Sequence, residues 1–353
     1  MYPTVAATIT AVSLFLTSAP PAEAAGRDLA PSQSPAGSVV CAVTDPRITE
    51  ASGMAVSPDR LYLINDGGDR LTVFVLDRRC RTLRVRSDPT DPFDVEDLAR
   101  TSDGTLWFAD IGDNRRDRDT VALETLTPSG SVALYRFRYP DGAHDAEALL
   151  LDQSRRPYLV TKNPLGTSGV YTPARPPVAG VDTPLRRVTT LRFGLTGTPG
   201  GPVGPVSQLL VTGGAVSPDG TRIALRTYTD LYLWTVRDHD IGAALRTGHP
   251  VRVALPEERQ GESVAFAPDG RSVLTTSEGL PAPVHLLRLP PPVAATPTAS
   301  PTPTRTASTP SPSAAIRSDP PSHGGGRPVY VNVLLAALIA TVIVLGLGRL
   351  RRK

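Results

Sequence analysis

The chain has 353 residues, with 37 prolines, 30 glycines and a formal net charge of +3. Proline and glycine destabilise helix interiors, so their abundance predicts few helices. A charge this small, on a chain whose basic residues are almost all arginine, does not favour a nucleic-acid-binding protein.

The N-terminus, residues 1–24, has the pattern of a signal peptide. An apolar stretch at 5–16 precedes Ala22-Glu23-Ala24, a small-x-small sequence of the kind at which signal peptides are cleaved. No Lys or Arg precedes the apolar stretch, so a short N-terminal membrane anchor is the alternative. We expect the mature chain to be exported.

In an exported protein, the only two cysteines, Cys41 and Cys80, are expected to form a disulfide. Two buried free thiols are the alternative. Closing a loop of this length stabilises a fold by about 3–4 kcal/mol, chiefly by restricting the unfolded chain.

A nine-residue phrase occurs five times without gaps, roughly 45–65 residues apart. Each copy runs from an apolar stretch into a polar turn and is followed by a second apolar stretch, which predicts a β-hairpin. The copies begin at Ser52, Glu96, Glu147, Thr212 and Glu262. A second hairpin follows each of the first four copies, and four strands per repeat predict an all-β fold, a β-propeller over 38–289.

Five copies favour five blades. The fifth repeat lacks one strand, and we expect the N-terminal strand at 39–43 to complete it, which would close the ring and leave no open sheet edge. Six blades would require a degenerate blade in the long third interval. The Gly/Pro-rich stretch at 197–205 in that interval predicts a loop instead.

Three segments follow the predicted propeller. Residues 290–327 are rich in Pro, Thr and Ser, which predicts an extended, disordered stalk. Residues 329–347 carry no charge and are long enough for one transmembrane helix, and the basic tail at 348–353 favours a cytoplasmic C-terminus. The expected protein is a single-pass cell-membrane protein with an extracellular head.

The gapless repeats place equivalent side chains in rings around the expected central channel. Residues two apart on a strand point to the same side, and the first strand of a hairpin begins where the second ends. Three rings should therefore meet at one mouth of the channel. They comprise Ser52, Glu96, Glu147, Thr212 and Glu262; then Glu50, Asp94, Asp145, Leu210 and Gln260; and then Asp66, Asp110, Thr161, Arg226 and Thr276.

Carboxylates gathered at one mouth repel one another unless a cation or basic side chains neutralise them, or some stay protonated. Their oxygens suit a hard cation such as Ca²⁺. The predicted metal ligands are Glu96, Glu147, Glu262, Asp94, Asp145, Asp66 and Asp110. The alternative is that Arg226, Lys162 and Arg118 pair with the acids. Other polar residues expected at the mouth are Glu50, Ser52, Asp113, Asn114, Lys162, Arg226 and His144.

Familiar catalytic motifs are absent from the sequence. There is no Gly-x-Ser-x-Gly, His-Glu-x-x-His, Cys-x-x-Cys or phosphate-loop sequence. His144, which directly precedes Asp145, is the one histidine expected near the mouth. It is a candidate general base, and a hydrogen-bonded turn residue is the alternative.

The phrases Asp94-Val-Glu-Asp-Leu-Ala99, Asp110-Ile-Gly-Asp-Asn114, Asp145-Ala-Glu-Ala-Leu149 and Gln260-Gly-Glu-Ser-Val264 resemble exported actinobacterial β-propeller proteins. These belong to the WD40-like or esterase-like-activity-of-phytase group. The resemblance covers residues 38–289 and implies a propeller, and phytase-like members imply an acid-lined, calcium-bearing channel. The WD40 Gly-His and Trp-Asp signatures are absent, as is a Lys/Arg cluster suited to a polyphosphate substrate.

Two functions fit this sequence. The favoured one is a binding module whose acidic mouth recognises an extracellular small molecule, glycan or protein, because no nucleophile–base pair is recognisable. The alternative is a metal-assisted hydrolase of the esterase, lactonase or phytase-like kind, in which a cation polarises a carbonyl and activates water.

Overall fold

A computed structural model describes residues 37–292, which form an all-β, propeller-like fold. The strands are β1 (Ser38–Val43), β2 (Ala51–Val56), β3 (Leu61–Asn65), β4 (Leu71–Leu76), β5 (Thr82–Asp88), β6 (Val95–Arg100), β7 (Leu106–Asp110), β8 (Val121–Leu126), β9 (Val132–Arg138), β10 (Ala146–Leu151), β11 (Pro157–Thr161), β12 (Thr167–Pro173), β13 (Thr183–Arg192), β14 (Val211–Val216), β15 (Arg222–Thr227), β16 (Asp230–Thr235), β17 (Val251–Ala254), β18 (Gly261–Phe266), β19 (Ser272–Ser277) and β20 (Ala282–Arg288). A 3-10 helix (Gly204–Gln208) precedes β14, and one short helix, α1 (Ile241–Thr247), precedes β17.

The strands form antiparallel four-stranded units in which chain order is also spatial order. Unit 1 is β2–β5, unit 2 is β6–β9, unit 3 is β10–β13, unit 4 is β14–β17, and unit 5 is β18–β20 with β1. A short parallel pairing between β9 and β13 joins units 2 and 3 into one eight-stranded sheet. Between β13 and β14 the chain forms a loop and the 3-10 helix, as the Gly/Pro-rich sequence there predicts.

The innermost strands contact one another in a closed cycle, from β2 through β6, β10, β14 and β18 back to β2. A hydrophobic cluster lies between each pair of neighbouring units, because the strands bury apolar side chains on both faces. Representative pairs, in order around the cycle, are Ile64 with Phe108, Trp107 with Tyr171, Val160 with Trp234, Leu233 with Val264, and Val284 with Leu63. Face-to-face packing of this kind, repeated around an axis, is the architecture of a propeller.

The N-terminal strand completes the last unit, as predicted. β1 pairs antiparallel with β20, and Val39 lies opposite His285. Cys41 of β1 forms a disulfide with Cys80 in the turn between β4 and β5, which confirms the predicted cysteine pairing. The disulfide therefore fastens the strand that completes unit 5 onto unit 1.

Replacing both cysteines by serine is expected to lower the free energy of unfolding by about 3–4 kcal/mol, because the unfolded chain regains the entropy that the cross-link removes. Urea denaturation of the oxidised protein measures the difference. Dithiothreitol should bring the wild type to the stability of the double variant and leave that variant unchanged. Equal stability of the oxidised wild type and the double variant would contradict this prediction.

Several predicted segments lie outside the described residues. These are the signal peptide at 1–24, all but the first residues of the stalk at 290–327, the transmembrane span at 329–347 and the tail at 348–353. Within residues 37–292, no helix is long and apolar enough to cross a membrane.

Candidate functional site

The first ring of predicted residues coincides with a repeated backbone irregularity. In each innermost strand, the pairing with its neighbour shifts register at the ring position, as happens when an extra residue forms a β-bulge. The shifts lie between Ala51 and Met54, Val95 and Asp97, Ala146 and Ala148, Val211 and Gly213, and Gly261 and Ser263. A bulge leaves its extra residue unpaired and re-aims that side chain, so each unit offers one side chain of this kind to the axis.

Five carboxylates of units 1, 2 and 3 converge near this position, and we call them the acidic cluster: Asp66, Asp94, Glu96, Asp145 and Glu147. One oxygen from each of Asp66, Asp94 and Glu96 lies within 4.8 Å of the others. The same holds for Glu96, Asp145 and Glu147. Glu96 belongs to both groups and is only 2% exposed, so it is the centre of the cluster.

The loop that follows β7 packs directly on the acidic cluster. A Cβ atom at Gly112 would lie 2.3 Å from Glu96 Oε1 and 2.5 Å from Asp94 Oδ2, so a side chain there would displace these two carboxylates. The Asp113 amide donates a hydrogen bond to Asp145 Oδ1 at 3.0 Å. Glycine at position 112 therefore lets the backbone approach the carboxylates of Glu96 and Asp94 closely.

One ammonium group lies against the acidic cluster. Lys162 Nζ is 2.5 Å from Glu147 Oε1. Burial alone would lower the pKa of Lys162, but the Glu147 carboxylate raises this pKa well above its usual value. Lys162 is therefore charged at neutral pH and offsets the charge of Glu147.

Burial raises the pKa of four carboxyl groups of the cluster, those of Asp94, Glu96, Asp145 and Glu147. Burial, and then the charge of Asp66, raises the pKa of Asp94 to about 8. Burial, and then the charge of Glu147, raises the pKa of Glu96 well above its usual value. Burial also raises the pKa of Glu147, against the opposing effect of Lys162. A bound divalent cation would release these protons, because it favours the ionised carboxylates.

Glu262, predicted as a third ring ligand, is buried but belongs to neither of the two carboxylate groups found among the described residues. Its Oε1 lies 3.4 Å from both the Tyr228 hydroxyl and Gln260 Nε2. Burial and the charge of Glu278 raise the pKa of Glu262. This carboxylate therefore has neutral hydrogen-bond donors, in contrast to Glu147.

Asp110 and Asp113 make contacts within their own loop. Arg118 Nη1 is 2.9 Å from Asp110 Oδ1, which also accepts the Asp94 amide hydrogen at 2.9 Å. The carboxylate of Asp113 accepts the amide hydrogens of Asp117 and Arg118. Asp110 is thus paired with the Arg118 guanidinium. The Asp113 side chain stabilises the loop, and the Asp113 backbone amide binds Asp145 of the acidic cluster.

The remaining mouth residues differ in exposure. Asn114 and Glu50 are exposed, whereas Ser52 is buried and its hydroxyl donates to the Glu96 carbonyl oxygen. Two threonines of the third ring bond neighbouring backbone. Thr161 Oγ1 accepts the Gly169 amide hydrogen at 2.8 Å, and Thr276 Oγ1 donates to the Pro283 carbonyl at 2.9 Å.

Arg226 forms its ion pair with an acid outside the predicted rings. It is fully buried, and its guanidinium is 2.8 Å from Glu258 Oε2. It also donates to the carbonyl oxygens of Ser263 and Tyr228, at 2.9 and 3.2 Å. The alternative in which Arg226 pairs with the ring acids is therefore corrected: its partner is Glu258, which lies outside the repeated phrase.

His144 is a hydrogen-bonded turn residue. Its Nε2 is 2.9 Å from Asp141 Oδ1 and 3.1 Å from the Tyr171 hydroxyl. The Tyr171 hydroxyl also donates to Asp141 Oδ2 at 2.8 Å. These contacts fix the orientation of the imidazole, and His144 directly precedes Asp145 in the sequence.

Asp97 is a buried residue that the sequence analysis did not single out. Its Oδ1 accepts the Leu98 amide hydrogen at 2.8 Å, and its Oδ2 accepts those of Leu149 and Gly214 at 2.8 and 3.1 Å. Burial raises the pKa of Asp97 to about 7, although the three amide hydrogen bonds lower it. Asp97 joins units 2, 3 and 4 at the axis.

Comparison with known proteins agrees with this fold. The family described as the lipoprotein LpqB β-propeller domain matches residues 186–320. No curated protein matches the chain in sequence. This match supports the β-propeller that the closed cycle of inner strands defines in residues 37–292.

Solved structures with detectable similarity include several enzymes. A gluconolactonase of Xanthomonas campestris is 15% identical, with 71% of this chain and 88% of that chain covered and a TM-score of 0.37. A luciferin-regenerating enzyme is 13% identical, with 73% of this chain and 92% of that chain covered and a TM-score of 0.40. The PQQ-bound aldose sugar dehydrogenase of Streptomyces coelicolor is 10% identical, with 71% of this chain and 97% of that chain covered and a TM-score of 0.38. Similarity at this level says nothing about what this chain binds.

Proposed function

We propose that residues 37–292 form a five-bladed β-propeller that binds a hard divalent cation, such as Ca²⁺, in the acidic cluster. The observation that carries this proposal is the sharing of Glu96 between two groups of three closely spaced carboxylates. Ca²⁺ takes six to eight oxygen ligands, with carboxylates prominent among them. Asp66, Asp94, Glu96, Asp145 and Glu147 offer enough oxygens to hold one ion.

The distribution of basic side chains supports a cation here. Lys162 contacts Glu147, whereas the other two basic residues proposed to neutralise the acids have different partners. Arg118 pairs with Asp110, and Arg226 pairs with Glu258. Among the described residues, Glu96 makes no ion pair. Burying an ionised carboxylate without a partner is costly. A metal ion removes this cost, whereas protonation avoids it only at pH values below the pKa of the carboxyl group.

We further propose that this head acts as a binding module at the cell envelope, where the acidic mouth recognises an extracellular small molecule, glycan or protein. The predicted signal peptide, stalk and C-terminal membrane span support this location, as does the description of the matching family as a lipoprotein domain. Each of the five units contributes one blade, and β1 closes the ring.

A metal-assisted hydrolase is the second candidate, favoured by the hydrogen-bonded Asp141–His144 pair, which directly precedes Asp145 in the chain. In that function the cation would polarise an ester or lactone carbonyl, and His144 would accept a proton from water. Hydrolysis of phenyl acetate or a γ-lactone that requires Ca²⁺ and is lost in both Glu96→Gln and His144→Gln would support it. If neither substrate is hydrolysed, the hydrolase is excluded and the binding module is retained.

Thermal melting of the purified head in CaCl₂ and in EDTA tests the cation site. A ligand that binds only the folded state raises the melting temperature by mass action, so we expect calcium to raise it by several degrees and EDTA to reverse the change. Glu96→Gln should abolish the shift. Glu124→Gln is the matched control, because Glu124 is also a buried acid of unit 2 but lies outside the cluster. A melting temperature unaffected by calcium would contradict the proposal.

A further inference from the structure

A cavity of about 280 Å³ opens beside the acidic cluster, between units 1 and 2. It is lined on the outside by Glu50, Asp66 and Asp69, and deeper by Leu71, Val95 and Phe108. The volume is near the lower end for small-molecule sites, which span about 300–1,000 Å³. Asp66 belongs to both the cavity and the acidic cluster, so the two are contiguous.

The charge of the cavity selects the sign of its ligand. Three carboxylates line it against one guanidinium, that of Arg70. Arg70 makes only a loose ion pair with Asp69, at 3.7 Å, and both side chains are more than half exposed. The Glu50 carboxylate makes no ion pair among residues 37–292. An anion would meet net repulsion here, whereas a cation would be attracted.

The apolar floor of the cavity favours a ligand that has a hydrocarbon part. Leu71, Val95 and Phe108 are at most 3% exposed and offer no oxygen ligands, so a bare metal ion gains nothing from them. A hydrocarbon group placed against them would leave water, which is favourable. The floor therefore matches a ligand that carries an apolar body next to its positive charge.

A buried acid lies in the same layer of the interface between units 1 and 2. Glu124 of β8 is paired directly with Phe108 of β7, and residues paired in this way have side chains on the same face of the sheet. Glu124 is 1% exposed, and its Oε2 has no hydrogen-bond partner among the described residues. A further buried acid, with one oxygen that has no hydrogen-bond partner among the described residues, thus lies in the same layer as the apolar floor.

We propose that this cavity binds a small organic cation, a primary or quaternary ammonium with a short hydrocarbon body. The ammonium group lies between Glu50 and Asp66, and the hydrocarbon packs on Val95 and Phe108. The proposal does not require calcium in the acidic cluster. Because Asp66 serves both sites, a cation bound in the cluster weakens the binding of the ammonium compound, and the reverse holds by linkage.

Chemical-shift titration of the full head with n-butylammonium tests the proposal, with n-butanol and butyrate as probes of matched shape. We expect millimolar binding of butylammonium, weaker binding of butanol and none of butyrate. Glu50→Gln should weaken butylammonium binding about fivefold, as the loss of one charge–charge contact near water implies, and leave the calcium-induced melting shift unchanged. Glu257→Gln, which removes an exposed acid outside the cavity, should change neither.

Equal binding of butylammonium and butanol, or an unchanged affinity in Glu50→Gln, would overturn the organic-cation site. So would the absence of butylammonium binding at tens of millimolar in EDTA. A head that binds butylammonium but shows no melting shift with calcium would instead contradict the metal site alone, so the two proposals fail separately.

Discussion

Replacing Arg226 by methionine is expected to lower the free energy of unfolding by about 3–5 kcal/mol, because it leaves the Glu258 carboxylate buried without its cation. The two side chains are 0% and 1% exposed, and their charged atoms lie 2.8 Å apart. The guanidinium also satisfies the carbonyl oxygens of Ser263 and Tyr228, so its removal leaves acceptors of units 4 and 5 unbonded. Urea denaturation followed by tryptophan fluorescence measures the loss.

Arg252→Met is the matched control for this prediction. Arg252 is 2.5 Å from Asp230, but its side chain is 33% exposed, and Asp230 keeps hydrogen bonds from Thr196, Thr198 and Thr229 when Arg252 is removed. Arg252→Met should therefore cost less than half as much as Arg226→Met. The double variant Arg226→Met/Glu258→Gln should recover part of the loss. An Arg226→Met variant no less stable than Arg252→Met would show that the buried pair is not essential.

The second large effect is a loss of stability with rising pH in the metal-free head. Burial raises the pKa of Asp94 to about 8 and raises the pKa of Glu96 well above its usual value. Between about pH 4 and pH 8 the folded state therefore binds more protons than the unfolded state, so the free energy of unfolding falls as pH rises. Each excess proton contributes about 1.4 kcal/mol per pH unit.

Calcium should remove most of this pH dependence, because ionised carboxylates bind it and the released protons are no longer needed. Melting temperatures in EDTA and in CaCl₂, measured from pH 5 to pH 8, test the prediction. Asp94→Asn should reduce both the decline in EDTA and the calcium effect. Burial also raises the pKa of Glu124 to about 8, so Glu124→Gln should reduce the decline but leave the calcium effect intact. A stability in EDTA that rises over this range would contradict the account.

The sequence was sufficient to predict the repeated hairpins and the completion of the last unit by β1, because both follow from hydrophobic alternation and from the count of strands. The convergence of Glu96 and Glu147 followed from the same gapless alignment. The β-bulges could not be predicted from this alignment, because a register shift of one residue does not change the pattern of apolar residues. They explain why the first ring faces the axis while still starting a regular strand.

The contacts of basic residues were harder to predict. Arg226 lies at a ring position, but its partner Glu258 is in a loop that the repeats do not align, so its pairing could not be read from the phrase. Asp97 did carry a signal. It is aligned with Gly53, Ala148, Gly213 and Ser263, so it is the one ionisable residue at a position otherwise reserved for small side chains.

Equilibrium dialysis of the purified head against ⁴⁵Ca²⁺ at neutral pH tests the central proposal most directly. If the five carboxylates around Glu96 form a metal site, the wild type binds one calcium ion per chain, Glu96→Gln binds none, and Glu124→Gln binds as the wild type does. Absence of bound calcium at millimolar concentrations, or full retention of calcium by Glu96→Gln, would contradict it.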